Sequence, residues 1–171
     1  MSKILVTYAT RAGSTVAVAE KIGEALRANG AIVDVCAVKE VRDVNGYAAV
    51  IIGSAIRMGS WLPEAVEFAK RNQAQLRQLP TAFFTCHRLN TSDDVTSRQA
   101  REAYTAPVRQ IVTPKTEVFF NGTMDYAKLN FLDRTLAKAV EKSTNTKEGD
   151  FRNWDAIRAW AESLAPMLQV A

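Results

Sequence analysis

The sequence predicts an α/β protein built on one parallel sheet with helices on both faces. Three observations carry this. Five short segments are apolar and rich in β-branched or aromatic residues. Stretches with helical spacing separate them, the alternation that gives βαβ units and a doubly wound sheet. The strand candidates are continuously apolar rather than alternating, as expected of strands buried on both faces. The length of 171 residues and the hydrophobic fraction of 47% suit a single domain over residues 1–171 with a full core.

The elements follow in order. Residues 3–9 (KILVTYA) form the first strand, and 10–15 (TRAGST) a small, hydroxyl-rich turn. Thr15, Ala19, Ile22 and Leu26 then recur at helical spacing, and Asn29-Gly30 supplies the stop. Residues 31–38 (AIVDVCAV) are a second strand and 47–53 (YAAVIIG) a third. A loop is expected over 54–61. A helix over 62–79 follows, with Pro63 in its first turn, where proline is tolerated. Residues 81–86 (TAFFTC) are the fourth strand, 97–112 a weaker helix interrupted by Pro107, and 116–121 (TEVFFN) the fifth strand. Leu129, Leu132, Leu136 and Val140 mark an amphipathic helix inside an insertion of about residues 122–150, whose end, 142–150, is polar. Trp154, Ile157, Ala161, Leu164 and Leu168 line one face of a last helix.

Composition excludes several classes. No apolar run reaches the ~18 residues of a membrane span. The start, MSK leading into ILV, lacks a signal-peptide pattern, and the two cysteines, Cys36 and Cys86, form no CxxC. A reduced, cytoplasmic protein is the expectation. The net charge of +4 favours anionic partners, but no dense basic run or nucleic-acid motif is present. GxGxxG and GxxxxGK[ST] are both absent, which disfavours a dinucleotide site and a triphosphatase. Thr10 and Ser54 stand where a receiver domain would need acidic residues. Cys36 and Arg42 match C-x5-R, but the residues between lack glycine and continue a strand, so the match is accidental.

In doubly wound sheets ligands bind beyond the carboxyl ends of the strands, at the switch in strand order. The loops after strands one, three and four are therefore the candidate site. The first, Thr10-Arg11-Ala12-Gly13-Ser14-Thr15, opens a helix whose free amides and dipole favour an anion. Three hydroxyls and a glycine make it a phosphate cradle in chemistry; the alternative is an N-cap at Ser14 and a turn at Gly13. The second contains Ser54, Ala55, Ile56, Arg57, Met58 and Gly59, suited to lie along a flat aromatic ligand, with Met58 or Trp61 over a ring face. The third contains Cys86, His87, Arg88 and Asn90. His87 is the single histidine, so no metal site is expected; it either contacts ligand or lies on the surface.

Together these loops resemble the flavodoxin-like fold with FMN. Thr10 to Thr15 read T-x-A-G-x-T, similar to the flavodoxin phosphate loop T-x-T-G-x-T, with Ala12 removing one hydroxyl. Over nearly its whole length the chain looks most like the menaquinone-dependent protoporphyrinogen oxidase family. The likeness rests on T-R-x-G at Thr10, G-x-x-I-R-x-G at Gly53, the insertion after strand five, and a D-x-R-x-W element at Asp150, Arg152 and Trp154.

The resemblance implies a three-layer sandwich with a five-stranded sheet of order 2-1-3-4-5. It implies FMN phosphate on Thr10 to Thr15, with the flavin ring between Ser54 to Gly59 and Cys86 to Asn90. The segment 86–93 holds no aromatic, so the stacking tyrosine of ordinary flavodoxins is missing. The implied activity is oxidation of a reduced tetrapyrrole with electrons passed to a quinone, Arg57 and Arg88 docking substrate carboxylates. The alternatives are a soluble flavodoxin shuttling electrons between redox proteins, which the basic charge disfavours, and a flavin-free interaction domain. The insertion helix, with Tyr126, Lys128, Phe131, Arg134, Lys138 and Lys142, either packs on the sheet's helices or lies peripherally on an anionic membrane.

Overall fold

The computed structural model describes residues 2–124, 132–133, 135–136, 138–139, 149–150 and 152–168. Five long strands form a parallel sheet: β1 (Lys3–Ala9), β2 (Ile32–Ala37), β3 (Ala49–Arg57), β5 (Thr81–His87) and β6 (Thr116–Asn121), ordered β2-β1-β3-β5-β6. Counting long strands alone, this is the expected order 2-1-3-4-5. The registers are continuous: Ile4 pairs with both Val33 and Ala49, and Phe84 with both Gly53 and Val118.

Alternate residues of each strand feed two cores, one on each face. Ile4, Val6, Ala49, Ile51, Ala82 and Phe84 pack beneath α1 (Ser14–Ala28) and the last helix, Trp154–Met167. Leu5, Val50, Ile52 and Phe83 pack with Ala65 and Phe68 of α2 (Pro63–Arg71) and Val108 of α4 (Val95–Ile111). Burial on both faces explains why these strands read as continuous apolar runs. α1 ends where the sequence places its stop: Asn29 caps it and Gly30 has φ 91°. That left-handed conformation is one glycine adopts without steric cost.

Three expectations are corrected. The stretch 54–57 continues β3. The chain then turns at Met58 and Gly59, with φ of 53° and 75°, and pairs back antiparallel through β4 (Ser60–Trp61). Two successive positive φ angles belong to a tight hairpin whose twist matches its strands, so a hairpin stands where a loop was expected. The helix expected over 62–79 breaks at Asn72 into α2 and α3 (Gln73–Leu76). Asn72 takes φ −106°, and its side-chain and backbone amides share the Phe68 carbonyl, 3.0 and 3.1 Å away, a local bond that bends the helix there. Pro107 interrupts nothing, since α4 runs through it to Ile111.

After β6, β7 (Thr123–Met124) pairs antiparallel with β8 (Gly149–Asp150), so the insertion leaves and returns at one place. Of its expected apolar stripe, Leu132 is exposed and Leu136 half-buried, while Leu129 and Val140 lie outside the described residues. So do Tyr126, Lys128, Phe131, Arg134 and Lys142. No described helix is long and apolar enough to cross a membrane.

The tightest constraint in the sheet is at Gly53, where an added Cβ would lie 2.0 Å from Cζ of Phe84. Gly53→Ala is expected to lower stability in urea unfolding by about 1–3 kcal/mol through overpacking. Combining it with Phe84→Leu should recover part of that loss relative to the sum of the single changes.

Candidate functional site

The carboxyl ends of β1, β3 and β5 converge on the start of α1. Thr10 ends the first strand's extension, and its Oγ1 accepts a hydrogen bond from the Gly13 amide at 3.0 Å. That leaves the hydroxyl hydrogen to donate. Gly13 takes φ 84° and itself occupies the N-cap position, with no side chain capping the helix. Ser14 is therefore the first helical residue rather than the cap. Val16 donates its amide back to the Gly13 carbonyl at 3.2 Å, while the amides at the very start of a helix have no intrahelical acceptor, the arrangement that binds anions. An added Cβ at Gly13 would meet nothing within 4 Å, so the loop opens onto free space.

Thr15 lies behind this loop, fully buried, and its hydroxyl has no hydrogen-bond partner of good geometry. An orphaned buried hydroxyl costs about 1–3 kcal/mol, and a ligand oxygen would relieve it. Beside it is the thiol of Cys86, pushed up to about 12 by burial and drawn back by the Thr15 hydroxyl and the Arg152 charge. Cys86 therefore stays a neutral thiol, with its side chain in the α1-side core.

From its place in the loop Arg11 is expected to add charge at the rim of the cradle, and the structure engages it elsewhere. Arg11 turns away and forms a two-pronged ion pair with Glu64 at the start of α2. Burial raises the Glu64 carboxyl, but hydrogen bonds from Arg11 and from its own amide, with the Arg11 charge, hold it below the ordinary value. The cation that reaches the loop is Arg152, whose terminal nitrogen donates to the Ser14 carbonyl at 3.4 Å. In the sequence Arg152 stands only within D-x-R-x-W, and nothing local signals a contact across 138 residues.

The second loop supplies backbone more than side chains. Ser54 is fully buried; its Oγ donates to the Ala55 carbonyl at 2.7 Å and accepts from the Leu62 amide at 3.0 Å. Ile56 pairs with Trp61 in the hairpin. Trp61 is buried, packs on Phe83 and donates its indole N–H to Thr85 Oγ1 at 2.8 Å, so it is not the ring cover. Met58, 78% exposed at the tip, is the apolar side chain left to fill that role. Arg57 donates from Nε to Asp133 at 2.6 Å, joining the hairpin to the insertion.

The third loop corrects the surface reading of His87. It is the last residue of β5, 5% exposed, and packs against Tyr104 and Phe119. Its Nδ1 lies 2.7 Å from the Leu89 carbonyl, and because a carbonyl only accepts, Nδ1 carries the proton. Burial lowers its pKa, as do the Arg101 and Arg88 charges, with the Leu89 bond acting the other way, so the ring is neutral near pH 7. Asn90 holds φ 57° and donates to the Tyr104 hydroxyl at 2.7 Å, while Arg101 donates to the Asn90 and Ser92 carbonyls. The loop is thus shaped by α4. Among the described residues no group of three His, Cys, Asp or Glu is placed to hold a metal.

The chain that carries this cradle resembles known proteins over most of its length. The family model described as "Flavodoxin domain" matches residues 5–150. The chain belongs to the flavodoxin-domain family. Among curated relatives, the protoporphyrinogen IX dehydrogenase [quinone] of Leishmania major is 26% identical, over 96% of this chain and 75% of that protein. The protein of the same name from Escherichia coli K12 is 25% identical, over 95% of this chain and 94% of its own. Among solved structures, a flavodoxin from the domain Archaea aligns with a TM-score of 0.59 at 15% identity, covering 98% and 99% of the two chains. Rubredoxin oxygen:oxidoreductase of Desulfovibrio gigas aligns at 0.64 and 13% identity, over 99% of this chain and 36% of that one. The structural neighbours show the fold, and membership of the flavodoxin-domain family supports a flavin cofactor.

Because His87 is the single histidine, its titration is directly readable. A folded-state pKa below the unfolded value of ~6.5 means that the unfolded chain binds the proton first on acidification. Stability should be full above that value and fall as pH drops through the window towards the folded pKa. Urea unfolding between pH 7.5 and 5 should show this slope, and His87→Gln should flatten it.

Proposed function

We propose that the protein is an FMN-dependent oxidoreductase that oxidises a reduced tetrapyrrole and passes the electrons to a quinone. The observation that carries the cofactor is the cradle itself: an open Gly13, an uncapped helix start, and the buried hydroxyl of Thr15, which has the Cys86 thiol beside it but no hydrogen-bond partner of good geometry. These residues fit one phosphate monoester. No dinucleotide fingerprint accompanies them, which favours FMN over FAD or NAD. The substrate and acceptor are supported by the curated relatives, whose names state both and which align over 95–96% of this chain.

When bound, the flavin supplies the redox chemistry, and the protein supplies binding, orientation and electrostatics. Thr10, Thr15 and the first amides of α1 would hold the phosphate. The backbone of 54–59 and 86–90 would flank the ring. His87, neutral and locked to Leu89, adds no charge beside it at neutral pH. The Arg57 guanidinium, 39% exposed and joined to Asp133, and Arg88 are the cations for substrate carboxylates.

The cofactor is tested by adding flavin to apoprotein and identifying what is retained by mass. FMN at one equivalent is expected; one equivalent of FAD, or no flavin, would overturn the reading. Thr15→Val separates ligand binding from folding. It removes the orphaned hydroxyl without changing side-chain shape, so apoprotein stability should hold or rise by about 1–3 kcal/mol. Combined with Thr10→Ala, it should weaken FMN at least ~10-fold, since a hydrogen bond to a charged group is worth about 1.5–3 kcal/mol. Turnover of protoporphyrinogen with a menaquinone analogue tests the reaction. Flavin binding without that turnover would leave an electron carrier as the reading.

A further inference from the structure

The cradle has backbone and hydroxyl donors, but Arg11, the arginine within its own loop, is committed to Glu64. A phosphate monoester at neutral pH carries close to two negative charges. The structure brings a different cation to the loop. β7 and β8 close the base of the insertion and set Asp150 and Arg152 beside α1. Asp150 takes the Arg152 guanidinium in a fork, Nε to Oδ1 at 2.9 Å and a terminal nitrogen to Oδ2 at 2.6 Å. The other terminal nitrogen reaches the Ser14 carbonyl at 3.4 Å. The guanidinium lies over the Trp154 ring, 4.6 Å from its centroid, and the side chain is only 16% exposed.

Of the five N–H donors of an arginine, these contacts use one from each nitrogen, leaving a donor on both terminal nitrogens among the described residues. The group is therefore immobilised before any ligand arrives, so ligand binding does not have to order it. Its charge is felt at the floor of the cradle, where it acts on the Cys86 thiol beside Thr15. Arg152 also holds the Asp150 carboxyl down at about 2, so the ion pair stays intact across the physiological range.

We propose that Arg152 is the cationic arm of the phosphate site, held by Asp150 and Trp154 so that it grips a phosphate monoester dianion seated on the start of α1. It discriminates the phosphorylated flavin from the same ring system without phosphate. This rests on the FMN reading above, and the two are separated by using two flavins. Apoprotein is titrated with FMN and with riboflavin, following flavin fluorescence, for wild type, Arg152→Gln and Arg152→Lys.

Wild type binding neither flavin would overturn the FMN reading and this assignment together. With wild-type FMN binding established, Arg152→Gln is expected to weaken FMN about 10- to 100-fold, the range of a charge-assisted hydrogen bond. Riboflavin affinity should be unchanged. Arg152→Lys should fall between, because an ammonium keeps the charge but cannot hold Asp150 by a fork and reach Ser14 together. Equal losses for both flavins would show a structural role, and unchanged FMN affinity would show that the arginine does not reach the phosphate; either overturns the assignment while the FMN reading stands. Circular dichroism checks folding. Should Arg152→Gln fail to fold, Asp150→Asn with Arg152→Gln, which leaves no unpaired carboxylate, carries the same expectations.

Discussion

The site depends on one topological constraint: β1 is hydrogen-bonded on both sides to parallel neighbours, β2 and β3. Parallel neighbours need crossovers, and a crossover to either side of β1 sends the chain over a different face of the sheet. α1, which follows β1, and α2, which follows β3, therefore lie on opposite faces, and the chain diverges at the carboxyl ends of these two neighbouring strands. The crevice between them is where Thr10, Gly13 and Thr15 open. The same strands bury alternate residues into two cores. The position of the cradle is thus set by packing on both sides of the sheet rather than by the loop's own preferences.

The conformation at Gly53 follows from the same constraint. β3 is the middle strand of the five, and Phe84 on β5 fills the space that a side chain at Gly53 would occupy. A bulky ring on one strand and a bare Cα on the next keep the sheet close-packed where it meets α1 and the last helix. Immediately after that glycine, β3 continues to Arg57 and folds back through β4, with Ser54 Oγ tying the hairpin to the start of α2. The second wall of the crevice is therefore strand backbone held in place, not a mobile loop.

Three arginines surround the crevice, and each is paired with a carboxylate: Arg11 and Arg57 with the distant Glu64 and Asp133, and Arg152 with Asp150 two residues before it. Arg11–Glu64, the pair open to solvent on both sides, adds ~0–1 kcal/mol of stability. The effect of all three here is geometric. Arg11–Glu64 ties the first loop to α2, Arg57–Asp133 ties the hairpin to the insertion, and Arg152–Asp150 sets a cation against Ser14. The overall excess of positive charge therefore says little about the site, whose electrostatics depend on which arginines are already engaged.

Where a signal is local, the sequence alone determined the outcome. The bounds of β1 and β6 follow from apolar, β-branched runs, and the end of α1 follows from Asn29-Gly30, because strand burial and helix termination act over a few residues. The turn from β1 into α1 was legible for the same reason: hydroxyls, a glycine and a helix start are contiguous. The tertiary structure decided what depends on contacts between distant segments. Met58 does not announce a left-handed turn, so the hairpin of β3 and β4 appeared only with its pairing. His87 reads as a loop residue until Tyr104 and Phe119 close around it. Arg11 is drawn to Glu64, and Arg152 reaches Ser14 across 138 residues, only because the folded chain puts these groups side by side. An ion pair depends on distance in space, and a linear pattern carries no record of which carboxylate will be nearest.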